Sequence, residues 1–156
     1  MKKNTFKMKR KHGFTLIEVL VVIGIIAVLA AVVLVSVNPA RQFKLARDSQ
    51  RTANVEAILN AIGQNMSEHR GTFTCNGSIM DLPAASTTIQ NGTAADVASC
   101  LVPDYLSSLP FDPSIAGANF TSTSTYNTGY MLFKDLNGRI TIAAVGELAP
   151  QITATR

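Results

Sequence analysis

The chain has 156 residues, enough for one modest domain and too few for two of ordinary size. Hydrophobic residues make up 47% of it, concentrated between Phe14 and Val37, and the formal charge is +4. Six of the 14 basic residues precede Gly13, and the other eight face ten Asp and Glu, leaving −2, so the basic balance makes no case for nucleic-acid binding.

Residues 1–12 are polar and basic, with no period of their own. From Phe14 to Val37 the only charged residue is Glu18. These 24 residues would make a helix of about 36 Å, longer than a hydrocarbon core of about 30 Å. Lys2, Lys3, Lys7, Lys9, Arg10 and Lys11 on one flank outnumber Arg41, Lys44, Arg47 and Arg51 on the other, which favours an inside N-terminus.

Three readings compete for this segment. A secretory signal explains the basic start, but its apolar run is usually shorter, roughly 7–15 residues, and holds no acid. A plain anchor explains the length but makes Glu18 a liability of up to about 3 kcal/mol at depth. A cut after Gly13, ahead of the apolar run, gives each oddity a role. Glycine lets a peptidase approach the backbone, and Phe14 gains a new amine. Glu18 then lies one helical turn away, where it complements the helix dipole. In staggered subunits its carboxylate can meet a neighbour's amine, and an unpaired charge in an apolar core is costly.

Asn38-Pro39 predicts a break, with Asn38 as cap and Pro39 as the first residue of a second helix. Val55, Ile58, Leu59, Ile62 and Met66 fall on one face of that helix, which is expected to run to about His69 and stop at Gly71. Arg41, Lys44, Arg47 and Arg51 form a basic stripe. It reads either as a solvated face paired with Asp48 and Glu56 or as a contact for lipid, for a neighbouring subunit's acids or, least of all, for DNA.

Residues 71–118 read as loop, with a short helix over 94–100 and a turn over 103–109. Strands are expected over 120–126, 130–134 and 139–145. Asp135-Leu136-Asn137-Gly138 signals a hairpin turn, with a calcium loop as the lesser alternative. Cys75 and Cys100 suggest one disulfide if the segment is exported, with two buried thiols as the alternative. His69, alone after the leader, reads as a helix-end residue. Asp81, Asp96, Asp104 and Asp112 read as turn residues. No metal-ligand spacing, cofactor fingerprint or nucleophile motif is present in the sequence, so neither catalysis nor a cofactor is expected.

The run GFTLIEVLVVIGIIAVLAA behind a short basic leader resembles the N-terminal signature of type IV pilins and of the pseudopilins of type II secretion systems. The resemblance covers roughly residues 8–37. It implies that residues 1–13 are a leader removed by a prepilin peptidase, that Phe14 is methylated on its amine, and that Glu18 is the assembly glutamate. It also implies an α+β fold: a long N-terminal helix (14–37 in the membrane or filament core, 38–70 amphipathic) packed on a small antiparallel sheet. A globular head over 71–156 would carry its strands within 119–146. The stretch Leu101 to Pro113 is similar to a Pro-rich loop that precedes the sheet in such proteins. Two departures stand out: Pro39 lies later than the family's usual helix-bending proline, and both cysteines precede the strands.

The resemblance further implies a filament of identical subunits, an assembly platform and an ATPase. The precursor would cross the bacterial cytoplasmic membrane once, head outside, and end in a surface or periplasmic fibre. Surface pilin, secretion pseudopilin and DNA-uptake pilin all remain compatible. A membrane-anchored binding protein without a filament is the reading from another class.

Overall fold

The computed structural model describes residues 13–156; of the leader expected over residues 1–13, all but Gly13 lies outside the described residues. The chain divides into two compact units, 1–39 and 40–156, and each is taken by itself.

The first unit holds helix α1, Leu16–Ser36. Its 21 residues give a length of about 31 Å. The helix starts two residues later than Phe14 because Thr15 has extended backbone angles (φ −81°, ψ 152°) and caps it. Beta-branched residues dominate it, and none of its residues is buried. Its mean hydropathy reaches 3.2, and by length and composition it can cross a membrane. Helical geometry lapses at Val37, where φ is −99° and ψ is 89°.

Helix α2, Pro39–Glu68, starts on its proline, whose missing N–H is no loss at a first helical position. Val55, Ile58, Leu59 and Ile62 are buried along one face, and Met66 is half-buried. The same face also buries Asp48, Arg51 and Asn65. At its end the Gly71 N–H reaches back to the Met66 carbonyl at 2.8 Å, with Arg70 (φ 57°) and Gly71 (φ 87°) both left-handed.

The region 71–118 is not only loop, as expected, but carries three strands. Thr74–Cys75 (β1) and Ser78–Ile79 (β2) form a small hairpin turned by Asn76-Gly77, both with positive φ. Thr87–Gln90 (β3) joins the main sheet. The short helix α3 covers Ala98–Leu101.

Then follow β4 (Asn119–Ser122), β5 (Thr125–Lys134), β6 (Ile140–Ala144) and β7 (Ile152–Thr155). The main sheet has five antiparallel strands in the order β3-β5-β6-β7, with β4 also paired to β5. The sheet therefore extends beyond the expected 119–146 at both ends of the sequence. The strand expected to stop near 126 and restart at 130 is continuous, because the chain passes Gly129 (φ 73°) as a bulge. The partner register jumps there, from Thr88 opposite Met131 to Gln90 opposite Asn127. A side chain at 129 would also meet Ile115 Cδ1 at 3.1 Å and Asp112 Cβ at 3.2 Å.

The core lies between the buried stripe of α2 and the sheet. Alternate residues of β5 (Tyr126, Thr128, Tyr130 and Leu132) are buried, as are all five of β6. Ile89, Val97, Leu101 and Leu109 close it from the loop side.

Candidate functional site

The N-terminal segment is built around a reciprocal cap. The Thr15 backbone N–H and hydroxyl each donate to Glu18 Oε2 at 2.9 Å, and the Glu18 N–H donates to Thr15 Oγ1 at 3.3 Å. This capping box satisfies orphan donors at the start of α1. It also fixes the carboxylate beside the chain's entry to the helix, one residue from the Phe14 nitrogen. Phe14 stands outside the helix and is 88% exposed.

Gly13 precedes it, and an added Cβ there would meet nothing within 4 Å. Among the described residues, no packing contact calls for glycine at 13. Gly13, Phe14 and Glu18 thus lie together on an exposed segment. Sequence reasoning singled out all three but overlooked Thr15, whose spacing from Glu18 was the available signal.

The head holds a second polar constellation, of which the sequence showed only the pairing of Asp48 with the basic stripe. Arg51 is buried and donates to Asp112 Oδ2 (2.7 Å, from Nε) and Oδ1 (3.1 Å), to Asp48 Oδ1 (2.8 Å) and to Glu147 Oε1 (3.1 Å). Arg47 forks onto Glu147 at 2.5 and 2.6 Å. Asp48 accepts three consecutive backbone N–H groups, from Glu147 (2.9 Å), Leu148 (2.8 Å) and Ala149 (3.4 Å). Asp112 accepts those of Ser114 (2.8 Å) and Ile115 (2.9 Å).

Two loops are thereby fastened to one stretch of α2. The N–H groups of 147–149, helped by Arg51, hold Asp48 down at about pKa 2 against its partial desolvation. The bonds from Arg47, then Arg51, hold Glu147 at about 2. Burial raises Asp112, but Arg51 and the two N–H groups outweigh it and leave the carboxyl below its ordinary value.

These contacts correct two expectations. Arg47 and Arg51 do not belong to an open basic stripe, because both are spent inside the head. Asp112 is not a plain turn residue but one side of a buried ion pair. Asp96 likewise accepts from the Tyr126 hydroxyl at 2.6 Å and from the Gly92 N–H at 3.0 Å. His69 directly follows α2, with its Nδ1 2.7 Å from the Asn65 carbonyl.

Cys75 and Cys100 are joined in a disulfide, 25 residues apart, which ties the β1–β2 hairpin to α3. Asp135 accepts from the Asn137 and Arg139 N–H groups (2.8 and 2.9 Å) and from Arg139 Nε (2.8 Å), as a hairpin turn requires. Among the described residues, no three His, Cys, Asp or Glu side chains are grouped to hold a metal ion.

Residues 8–34 match the family described as the prokaryotic N-terminal methylation motif. The chain is also similar to prepilin peptidase-dependent protein D of Escherichia coli (strain K12), at 38% identity over 84 residues. That alignment covers 52% of this chain and 54% of that protein, so the match spans about half of each. No solved structure matches the chain. A methylation-type N-terminus, an apolar span and an α+β head together make a pilin-like arrangement.

Proposed function

We propose that this pilin-like chain is a structural subunit of a type IV pilus or a related filament, processed at Gly13 and assembled through α1. The carrying observation is the N-terminal arrangement. An exposed Gly13–Phe14 bond stands beside a carboxylate fixed at the head of an apolar helix that buries none of its residues. The match over 8–34 and the likeness to a prepilin peptidase-dependent protein support the same reading.

On this reading a prepilin peptidase cuts after Gly13 and the Phe14 amine is methylated. The precursor is held in the membrane by α1 with its head outside. In the filament, α1 exchanges lipid for neighbouring helices. Both media are apolar, so the exchange gains little from the hydrophobic effect. Extraction therefore needs outside work, supplied by an ATPase acting through a platform. Glu18 would fix register by meeting a neighbour's Phe14 amine, since an unpaired carboxylate among apolar helices is costly. The role is structural and not catalytic.

Mass spectrometry of the chain purified from its host tests this directly. The expected result is a mature N-terminus at Phe14 carrying one added methyl group. An intact leader, or a cut within the apolar run, overturns the proposal. Glu18→Ala is expected to be cut normally yet to yield no fibres by electron microscopy. Loss of surface fibres on deletion identifies a pilin, whereas intact fibres with a secretion or DNA-uptake defect identify the corresponding relative.

A further inference from the structure

The chain holds three Asn-Gly pairs, at 76–77, 91–92 and 137–138. In such a pair the glycine nitrogen can attack the asparagine side-chain carbonyl carbon, because no Cβ on the glycine obstructs the approach. All six residues are exposed. Each glycine has a positive φ (77°, 75° and 82°) and open space where a Cβ would stand. Exposure, crowding and the glycine's backbone angle therefore do not separate the three pairs.

The proton on the glycine nitrogen does separate them, since it must leave before the nitrogen can attack. The Gly92 N–H donates to Asp96 Oδ2 at 3.0 Å, and that carboxylate also disfavours an amide anion beside it. The Gly138 N–H donates to the Asp135 carbonyl at 3.0 Å. Among the described residues, no acceptor takes the Gly77 N–H. Gly77 is the second residue of the two-residue turn closed by the Cys75–Ser78 pair, and in such a turn that N–H lies outside the ladder. Asn76 and Gly77 also line a polar cleft of about 200 Å³ with His69, Asp104 and Tyr105.

We propose that Asn76 is a self-modification site, at which the Gly77 nitrogen displaces ammonia from the Asn76 side chain and water then opens the resulting cyclic imide. In the first step the bond from the Gly77 nitrogen to Asn76 Cγ forms and the Cγ–Nδ2 bond breaks. The glycine's proton passes through solvent to the departing nitrogen, which leaves as ammonia. In the second step water adds to either imide carbonyl, giving aspartate or isoaspartate at position 76. Nothing is oxidised or reduced, and water is the only co-reactant.

Both products place a new carboxylate on the cleft that Asp104 lines. Isoaspartate also adds a methylene to the backbone of a two-residue turn whose neighbour, Cys75, is tied to Cys100. The hairpin β1–β2 thus becomes more acidic and less regular as the protein ages. This chemistry makes no use of the filament reading.

The purified full-length chain would be held in detergent at mildly alkaline pH, with circular dichroism confirming the fold at each time point. Peptide mass spectrometry and labelling by an isoaspartyl methyltransferase would follow the three sites. Breaking one ordinary hydrogen bond before attack slows a reaction roughly fivefold. Position 76 is therefore expected to convert about fivefold faster than 91 or 137 in the folded chain. In urea after reduction, where no such bonds survive, the three rates should become similar. Equal conversion in the folded chain, or conversion led by 91 or 137, overturns the assignment. Conversion at 76 to aspartate without isoaspartate overturns the cyclic route. Gly77→Ala should slow conversion at 76 and leave 91 and 137 unchanged, and an unchanged rate at 76 would show that the glycine nitrogen is not the attacker. Asn76→Gln, which keeps the glycine in the turn, should stop the reaction there, because its longer side chain closes the ring far more slowly.

Discussion

Arg51 is the side chain on which the head's polar interior depends. Truncating it leaves Asp48, Asp112 and part of Glu147 without their cation, and breaking a buried pair of this kind costs about 3–5 kcal/mol. Arg51→Ala should therefore melt far below the parent chain, in detergent, by circular dichroism. Arg51→Lys should fall between the two, because an ammonium cannot fork onto Asp112 as the guanidinium does.

The same cluster sets the acid limit of the fold. Asp48 and Glu147 have folded-state pKa values of about 2, below their unfolded values near 4. Their contribution to stability is then complete above about pH 4 and disappears as the pH falls towards about 2. Melting temperature measured against pH should drop steeply across that window and stay level from pH 5 to 7. In Arg51→Ala the drop should be shallower. Of this cluster only the local pairing of Asp48 with the basic stripe was legible in the sequence. Arg51 and Asp112 are 61 positions apart, Asp48 and Glu147 99, and nothing local to either pair marks them as partners.

At the scale of elements, the helices could be read because their signals are local: an unbroken apolar run, a proline and a 3.6-residue stripe. The shorter strands could not. β3 contributes one aliphatic residue, Ile89, and β7 has only four residues, Ile152–Thr155, so neither stands out from loop composition. The β1–β2 turn did carry an Asn-Gly pair, the same signal that identified the turn at Asn137-Gly138, and went unused at Asn76-Gly77. Gly129 shows why the central strand seemed to be two, since its positive φ interrupts the alternation without ending the strand. Gly129→Ala should cost about 2 kcal/mol in urea unfolding, combining left-handed strain with crowding against Ile115 and Asp112. Gly138→Ala, with open space around it, should cost about 1 kcal/mol. The disulfide closes 25 residues of otherwise irregular chain, and Cys75→Ser with Cys100→Ser should lower stability by about 3 kcal/mol.

At the scale of the whole molecule, the boundary at 39/40 separates a helix with no buried residues from a unit with its own core. A chain of residues 40–156 should therefore be soluble without detergent. It should also give the same acid-induced transition as the full chain, checked by sedimentation and circular dichroism. The α+β outline and the special N-terminus were both readable in advance. What the head adds beyond that outline, above all the fastening of two distant loops to α2, depends on contacts that form only once the chain has folded.

Because α1 buries nothing within its own chain, the head carries no record of the medium around that helix. On the function proposed above, the subunit leaves one apolar solvent for another without refolding, and its two halves fail separately. Damage in 14–37 would leave a well-folded protein stranded in the wrong place. Damage around Arg51 would leave a correctly addressed protein that the cell degrades. Such a division of labour also frees the head to drift in sequence, so long as the N-terminal helix continues to meet the demands of whatever receives it.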